Sequence, residues 1–519
     1  MILPAYTPLK NIVNHSAALI SLVVAILVNL FYANPLYAKP QQDESLLIEH
    51  VTVLSPERDS ALADQNVLIE NGLIVSITPA SDSRQLPKPF KRIDGRGRFL
   101  TPGLMDSHVH VSNTPGLLPD MPGAMELHQS FAKQQPRSYL YFGVTQVLDT
   151  GNSAAGVSDF KAQPQKPDLF RCGAAPVMDG YPNHQLPKAK RYQQRPDFIV
   201  EAAHHHPLPA AVDAKQQTPE VVVARIAQSG ADCLKIFIEN GFGDADHLPV
   251  YSKDSLQRLR AAATKHGLPL LAHANAYDMQ LQAVDGKVDV IAHGLWNWSG
   301  IDRNIRKQAE ASNQLPAAIM QHLAKVHAAG IGYQPTIQVI SRMGALFEAD
   351  ALADPQLKKV VPASLLKWYQ TAEAQWFRDE LQLDFGDMPA EQVAAVFKKA
   401  SLQGAKAAKV LADLGHPLLL ASDTPSSPTY TQQPGYSTYL EMQDMAAVGI
   451  SPRAIFQAAT INNAKMLKID SNYGTVSVGK VANLLLLKNN PLQNVKAWDS
   501  IELVILHGAA LPRAELAAQ

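Results

Sequence analysis

Cysteine is nearly absent, with Cys172 and Cys233 the only two in 519 residues. A disulfide framework is therefore not expected, no Cys-x-x-Cys pair exists to hold zinc or cycle electrons, and both cysteines read as core residues. An excess of charge of either sign is also missing. The 46 lysines and arginines against 47 aspartates and glutamates leave a formal net charge of -1, which argues against nucleic acid or an anionic membrane face as the main partner. Apolar residues are not scarce. At 46% hydrophobic and 18% charged, the chain is neither disordered nor fibrous, and it can bury one large α/β barrel with a smaller domain beside it. No internal repeat shows beyond an alternation of strands and helices.

The one long apolar run lies at the start. Lys10 precedes the run 17–32, and Leu36-Tyr-Ala38 places a small residue before a cut, the pattern of an export signal over residues 1–38. The mature protein then begins near Lys39 and works outside the cytoplasm, in the periplasm or beyond the cell. The alternative is an uncleaved anchor, because residues 16–33 approach the length that spans a bilayer. That anchor would be the chain's sole membrane contact.

From 46 to 93 short apolar runs alternate, and Glu70-Asn-Gly72 between two of them is a hairpin signal. The stretches 474–487 and 500–508 have the same texture. Short strands from both ends of a chain can pair, so 39–100 and 470–519 are expected to form one small β-sandwich domain around a centre at 101–469. In that centre eight buried-strand signals recur, near 104–108, 144–149, 169–177, 233–238, 269–273, 290–293, 332–336 and 418–423. Most are followed by helical stretches, and eight such units fit a (β/α)8 TIM barrel, whose chemistry gathers at the C-terminal strand ends. Two insertions, 180–219 and the largely helical 342–415, are expected over the barrel mouth, where they could form a lid. His204-His-His206 sits in a Pro-flanked loop with no acidic partner and reads as solvated surface.

Six residues fall at or near those strand ends: His108, His110, Lys235, His273, His293 and Asp423. In Thr101-Pro-Gly-Leu-Met-Asp-Ser-His-Val-His110 the two histidines share one face of a strand and can grip one ion together. Alone, such a pair is more often an ordinary polar contact; the four later residues turn the balance toward a metal site. Alternation in Asp232-Cys-Leu-Lys-Ile-Phe-Ile-Glu-Asn240 turns Cys233, Lys235 and Phe237 into the barrel and Leu234 and Ile236 toward the helices. Burial penalises an ammonium, so the pKa of Lys235 should fall. The neutral amine can take up carbon dioxide as a carbamate, a carboxylate able to bridge two metals. The plainer alternative is a lysine paired with Glu239 or Asp423.

With these pieces in place the chain resembles the amidohydrolase superfamily, in its prolidase- and peptidase-like two-metal branch with a carboxylated lysine, over nearly all of 46–512. The resemblance is carried by Pro102-Gly-Leu-Met-Asp-Ser-His-Val-His110, the Lys235 strand, Ala272-His-Ala274, Ala292-His-Gly294, Ala421-Ser-Asp-Thr424 and the Val478-Gly-Lys-Val-Ala-Asn483 region. It implies that His108, His110 and Asp423 hold the more buried metal, that His273 and His293 hold the other, and that carboxylated Lys235 bridges them. Asn483 stands where the family usually has an acidic residue, a departure in the β-domain. Two metals make chemical sense because a water shared between them loses its proton near neutral pH and attacks a carbonyl that the second metal polarises. Asp423 then serves as ligand and proton shuttle. Zinc suits this His-rich, carboxylate-containing set, with manganese and iron left open.

The resemblance implies hydrolysis of a C–N amide bond in a small molecule, a dipeptide or an N-acyl amino acid, and not the work of a classical protease. Such a substrate needs a partner for its carboxylate. Arg342, Tyr181 and His184 are candidates, while Trp296 and Trp298 either wall an apolar pocket or pack the rim. The runner-up is lactone or phosphoester hydrolysis by the same two metals. A one-metal deaminase fits less well, since such enzymes place a Glu soon after the fifth-strand histidine and here His273 is followed by Ala-Asn-Ala-Tyr-Asp. A barrel retained only as an extracytoplasmic binding protein would be expected to have lost a ligand, and none is missing. A homo-oligomer is compatible with each reading.

Overall fold

The computed structural model describes residues 45–82, 90–151, 154–203, 207–242, 247–426 and 428–519. The expected export signal and the His204-His-His206 tract lie outside the described residues. Among those described, no helix is long and apolar enough to cross a membrane.

One sheet draws strands from both ends of the chain. They are β1 (Ser45–Val53), β2 (Leu62–Glu70), β3 (Leu73–Pro79), β4 (Phe90–Asp94) and β5 (Phe99–Pro102), joined by β13 (Leu484–Leu487), β14 (Ile501–Leu506) and β15 (Ala509–Pro512). Their order is β15-β14-β13-β5-β1-β2-β3, with β4 also on β1. The strands expected to form a small sandwich from both chain ends are hydrogen-bonded into one continuous sheet. The cause lies in β1, whose register shifts between Ile48 and Val51 and again before Val53. Its first half pairs β4 and its last two residues pair β5, so the ladder runs on without a break. Leu46, Ile48, Val67, Leu100, Leu484 and Ile505 fill this sheet's own core, while Leu485, Leu487 and Val504 alternate outward into the central one.

The second sheet is parallel and sequential: β6 (Leu104–Val109), β7 (Val144–Asp149), β8 (Asp168–Ala174), β9 (Cys233–Phe237), β10 (Leu270–His273), β11 (Val290–Ala292) and β12 (Gly332–Gln334). Most of these strands are buried along their whole length, as strands covered on both faces must be. Leu234 and Ile236 pack into the helix layer. Met105, Leu148, Cys172, Cys233, Leu271 and Leu419 turn the other way and fill the floor of the curled sheet.

The strand expected at 418–423 is a segment tied to both edges of that sheet. Leu419 N donates to Tyr333 O at 2.9 Å and Asp423 N to His108 O at 2.7 Å; isolated parallel bridges pair Leu418 with Tyr333 and Thr424 with Val109. It does not extend as a regular strand because helical neighbours share its backbone groups. Asn462 and Asn463 amides donate to Leu418 O and Leu420 O at 3.0 and 2.8 Å, and Leu420 N donates to Ala458 O at the start of the π-helical turn Ala458–Asn462.

The cysteines require a correction. Cys172 of β8 and Cys233 of β9 are register partners, 4.3 Å apart at Cα, and form a disulfide. Both are core residues as expected, but the spacing of 61 residues hides a contact that only the parallel pairing of two strands creates.

Candidate metal centre

Parallel strands that end together deliver their last side chains to one place, and here the delivery is tight. Val109 packs into the helix-layer core, so His108 and His110 on either side of it turn inward together. Their Nε2 atoms lie 3.1 and 2.9 Å from Asp423 Oδ1. Ligand atoms of these three residues all fall within 4.8 Å of one another. His293, just past β11, brings Nδ1 to 3.4 Å from Asp423 Oδ2, and its ring centroid is 5.0 Å from that of His108 and 4.6 Å from that of His273. Asp106 ties the framework together from behind: its Oδ1 accepts from His108 N and Ser422 N at 3.2 and 3.0 Å, and its Oδ2 from Thr438 Oγ1 at 2.6 Å.

The electrostatics suit a cation. Burial, followed by the nearby Lys235 charge, holds His108 well below the usual histidine range; burial does the same to His293, and more mildly to His273. Neutral imidazoles offer lone pairs. Burial opposes ionisation of Asp423, positive charge on the facing His108, His293 and His110 would lower its pKa in return, and a bound cation would do the same where those imidazoles are neutral. Gln334 assigns the His108 tautomer. Its Nε2 donates to Ser107 O and Oγ at 2.9 Å, leaving Oε1 to accept from His108 Nδ1 at 3.1 Å, so the lone pair sits on Nε2, toward Asp423.

Lys235 is 1% exposed, and among the described residues its Nζ has no hydrogen-bond partner. Burial, opposed only by Asp423, pushes it down to about 7. The lysine is therefore not paired with Glu239 or hydrogen-bonded to Asp423. Glu239 instead lies 3.2 Å from His273 Nε2 and accepts from Asn275 Nδ2 at 3.0 Å. A basic amine without an acceptor, beside neutral imidazoles and an ionised carboxylate, matches the donor chemistry of a divalent-cation site.

Of the other sequence candidates, Tyr181 lies at the centre, its ring 4.6 Å from His273. His184 follows 5.9 Å from Tyr181, and burial then Arg191 lower its pKa. Arg342 is turned elsewhere. The helix Ile337–Ala345 faces helix Tyr436–Ala447, where Gln338 N donates to Glu441, and Arg342 acts on Asp444 and Tyr436. Trp296 packs against Gly404, and Trp298 is buried with Nε1 donating to Leu295 O at 3.2 Å. The insertion 342–415 docks on the loops leaving His110 and Asp423: Tyr369 OH donates to Pro115 O, Trp376 Nε1 to Gly116 O and Tyr430 OH to Gln375 Oε1, at 2.9 to 3.0 Å. Gln334, Asn275 and the role of Glu239 escaped the sequence reading. Of these only Glu239 carries a signal, its phase with Lys235 and Phe237.

Residues 390–511 match the sequence profile of the amidohydrolase family. The chain is similar to an imidazolonepropionase of Stenotrophomonas maltophilia, 25% identical over 44% of this chain and 57% of that protein. It is also similar to an adenine deaminase of Listeria innocua, 23% identical over 59% and 54%. The matches span little more than half the length of these curated relatives. A crystal structure of a Xaa-Pro dipeptidase with bound methionine superposes with a TM-score of 0.61 at 19% identity, covering 90% of this chain and all of that one. Molinate hydrolase gives 0.62 at 17%, covering 91% and 95%. At these identities the structural likeness establishes the fold.

Proposed function

We propose that this chain, which fits the amidohydrolase superfamily, hydrolyses a C–N amide bond in a small molecule, with a dipeptide or N-acyl amino acid as the first substrate class. The observation that carries this reading is the buried Lys235 amine, without a hydrogen-bond partner among the described residues and facing His108, His273, His293 and Asp423. Relatives named for dipeptidase, imidazolonepropionase and adenine deaminase activities support C–N chemistry, and the seven parallel strands with segment 418–424 on both edges support a closed barrel.

His108, His110 and Asp423 would hold one divalent cation, His273 and His293 a second, and Lys235, carboxylated by carbon dioxide, would join them. Zinc is the metal this nitrogen and oxygen set suits. The cations would supply an acidified water and a polarised carbonyl. The protein's own part is proton handling and order. Asp423, ionised and faced by three imidazoles, is placed to take a proton from the attacking water and return it to the leaving nitrogen as the C–N bond breaks, giving an acid and an amine. Gln334 and Glu239 hold His108 and His273 in place. Export is part of the proposal, and the Cys172–Cys233 bond supports an oxidising compartment.

Elemental analysis of the loaded protein, joined to a screen of dipeptides, N-acyl amino acids, lactones and phosphoesters, tests the reading. Two ions per chain and amine release are expected. Turnover of lactones or phosphoesters alone would overturn the amide assignment, and a single ion would overturn the two-metal one.

A further inference from the structure

We propose that the rings of Phe237, Tyr181 and Phe242 form a wall beside His273 that receives an apolar side chain of the substrate, so that the preferred amides carry an aromatic or large aliphatic group next to the scissile bond. The inference rests on the C–N hydrolase reading above and gives a specificity role to Phe237 and Phe242, which the sequence did not single out as site residues.

The row of rings is anchored at the donor cluster by direct contact. Phe237 ends β9 two residues after Lys235, so alternation turns both into the barrel. Its ring centroid lies 5.8 Å from Lys235 Nζ and 6.0 Å from the His273 ring. Tyr181, on the loop after β8, meets the same imidazole at 4.6 Å with an interplanar angle of 31°, and stands edge-on to Phe237 at 5.9 Å. Phe242, on the loop that leaves β9, is edge-on to Tyr181 at 5.3 Å. One continuous aromatic row therefore runs outward from Lys235 and His273.

These rings do not pack a core. Among the described residues, the apolar clusters of the terminal sheet, the helix layer and the barrel floor leave all three out. Phe237 and Tyr181 are half-buried, and Phe242 is 44% exposed. Apolar side chains exposed singly need no explanation, but a contiguous aromatic row that opens at a group of buried polar donors has the make-up of a small-molecule site, apolar walls with a few convergent polar groups. Aromatic rings accept another ring in offset or edge-on packing and cover aliphatic chains by burial. The substrate is the occupant because the row begins at the residues that would hold the scissile amide, and a side chain one or two bonds from that amide falls on rings that touch His273.

The test uses the metal-loaded full chain and calorimetric binding of ketone analogues, in which a methylene replaces the amide nitrogen so that no cleavage intervenes. One pair mimics N-acetylphenylalanine and N-acetylalanine, the other phenylacetylglycine and acetylglycine, so the apolar group is tried on each side of the bond. A fully buried methylene is worth about fourfold in affinity; against a wall that covers one side, the phenyl-bearing member of at least one pair should bind on the order of 10-fold tighter. Phe242→Ala should remove most of that preference while leaving metal content and the binding of the small analogues unchanged, and Phe242→Leu should keep part of it. Phe242 is exposed on a loop, so its loss does not threaten the fold. Indifference to the phenyl group in both pairs, or a preference that is intact in Phe242→Ala, overturns the proposal. If the preference is present and depends on Phe242 but neither N-acetylphenylalanine nor phenylacetylglycine releases an amine, the apolar subsite stands and the hydrolase reading falls.

Discussion

Lys235→Met should stabilise the metal-stripped protein at neutral pH. The amine is 1% exposed, lacks a hydrogen-bond partner among the described residues, and is pushed from 10.5 to about 7 by burial with Asp423 alone opposing. At about 1.4 kcal/mol for each tenfold loss of proton affinity, holding that side chain in the fold costs about 5 kcal/mol. The sign follows from proton counting. An unfolded lysine stays protonated to about pH 10.4, whereas the folded one sheds its proton above about pH 7. Between those values the unfolded chain binds more protons, so wild-type stability rises with pH through that window, and the full penalty is present below it. Methionine reaches nearly as far and has no charge to desolvate.

Denaturant unfolding of the two metal-stripped proteins at pH 7 and pH 10 reads this directly. A gain of several kcal/mol at pH 7 that shrinks toward pH 10 is expected; a gain flat with pH, or a loss at pH 7, would refute the view that the amine lies uncompensated in the fold. The metal-loaded protein should respond in the opposite sense, because the same substitution removes the side chain proposed to join the two cations. Lys235→Ala should likewise lose metal, with acetate or propionate restoring part of it. Reconstitution of stripped wild type with zinc should be faster with bicarbonate than without.

Asp423→Asn should keep the fold and lower kcat on the order of 10²-fold or more, the scale of acid–base catalysis; near-native turnover would remove Asp423 from proton transfer. Gln334→Leu should weaken metal binding about 10- to 100-fold without touching a ligand, measured by competition with a chelator, since His108 Nδ1 loses its acceptor. Thiol titration in denaturant should find no free thiol until a reductant is added, then two per chain, as the Cys172–Cys233 bond requires.

What was legible in the sequence shares one physical cause. Strands buried on both faces read as apolar runs, so a polar residue at the end of such a run stands out; His108, His273, His293 and Asp423 could be picked for that reason, and Lys235 by its phase with Cys233. The run Pro417-Leu-Leu-Leu-Ala421 looks like a strand for the same reason, but the Asn462 and Asn463 amides take up the Leu418 and Leu420 carbonyls. The disulfide was invisible because it depends on how β8 and β9 align.

Backbone conformation lies beyond sequence pattern in the same way, and here it bears on function. His293, Thr336 and Asp423 adopt φ of 83°, 44° and 52°, all in the left-handed region that non-glycine residues seldom occupy. They follow β11, β12 and the bridged segment 418–424, with Thr336 Oγ1 3.4 Å from His293 Nδ1 and Asp423 Oδ2 at the same distance from that nitrogen. Glycine would adopt each conformation without cost, yet none of the three is glycine. Strain kept at adjacent positions persists where the surrounding structure fixes it and the side chain is needed. At His293 and Asp423 the needed groups are a neutral imidazole and an ionised carboxylate turned on each other, the pair that a divalent cation would join.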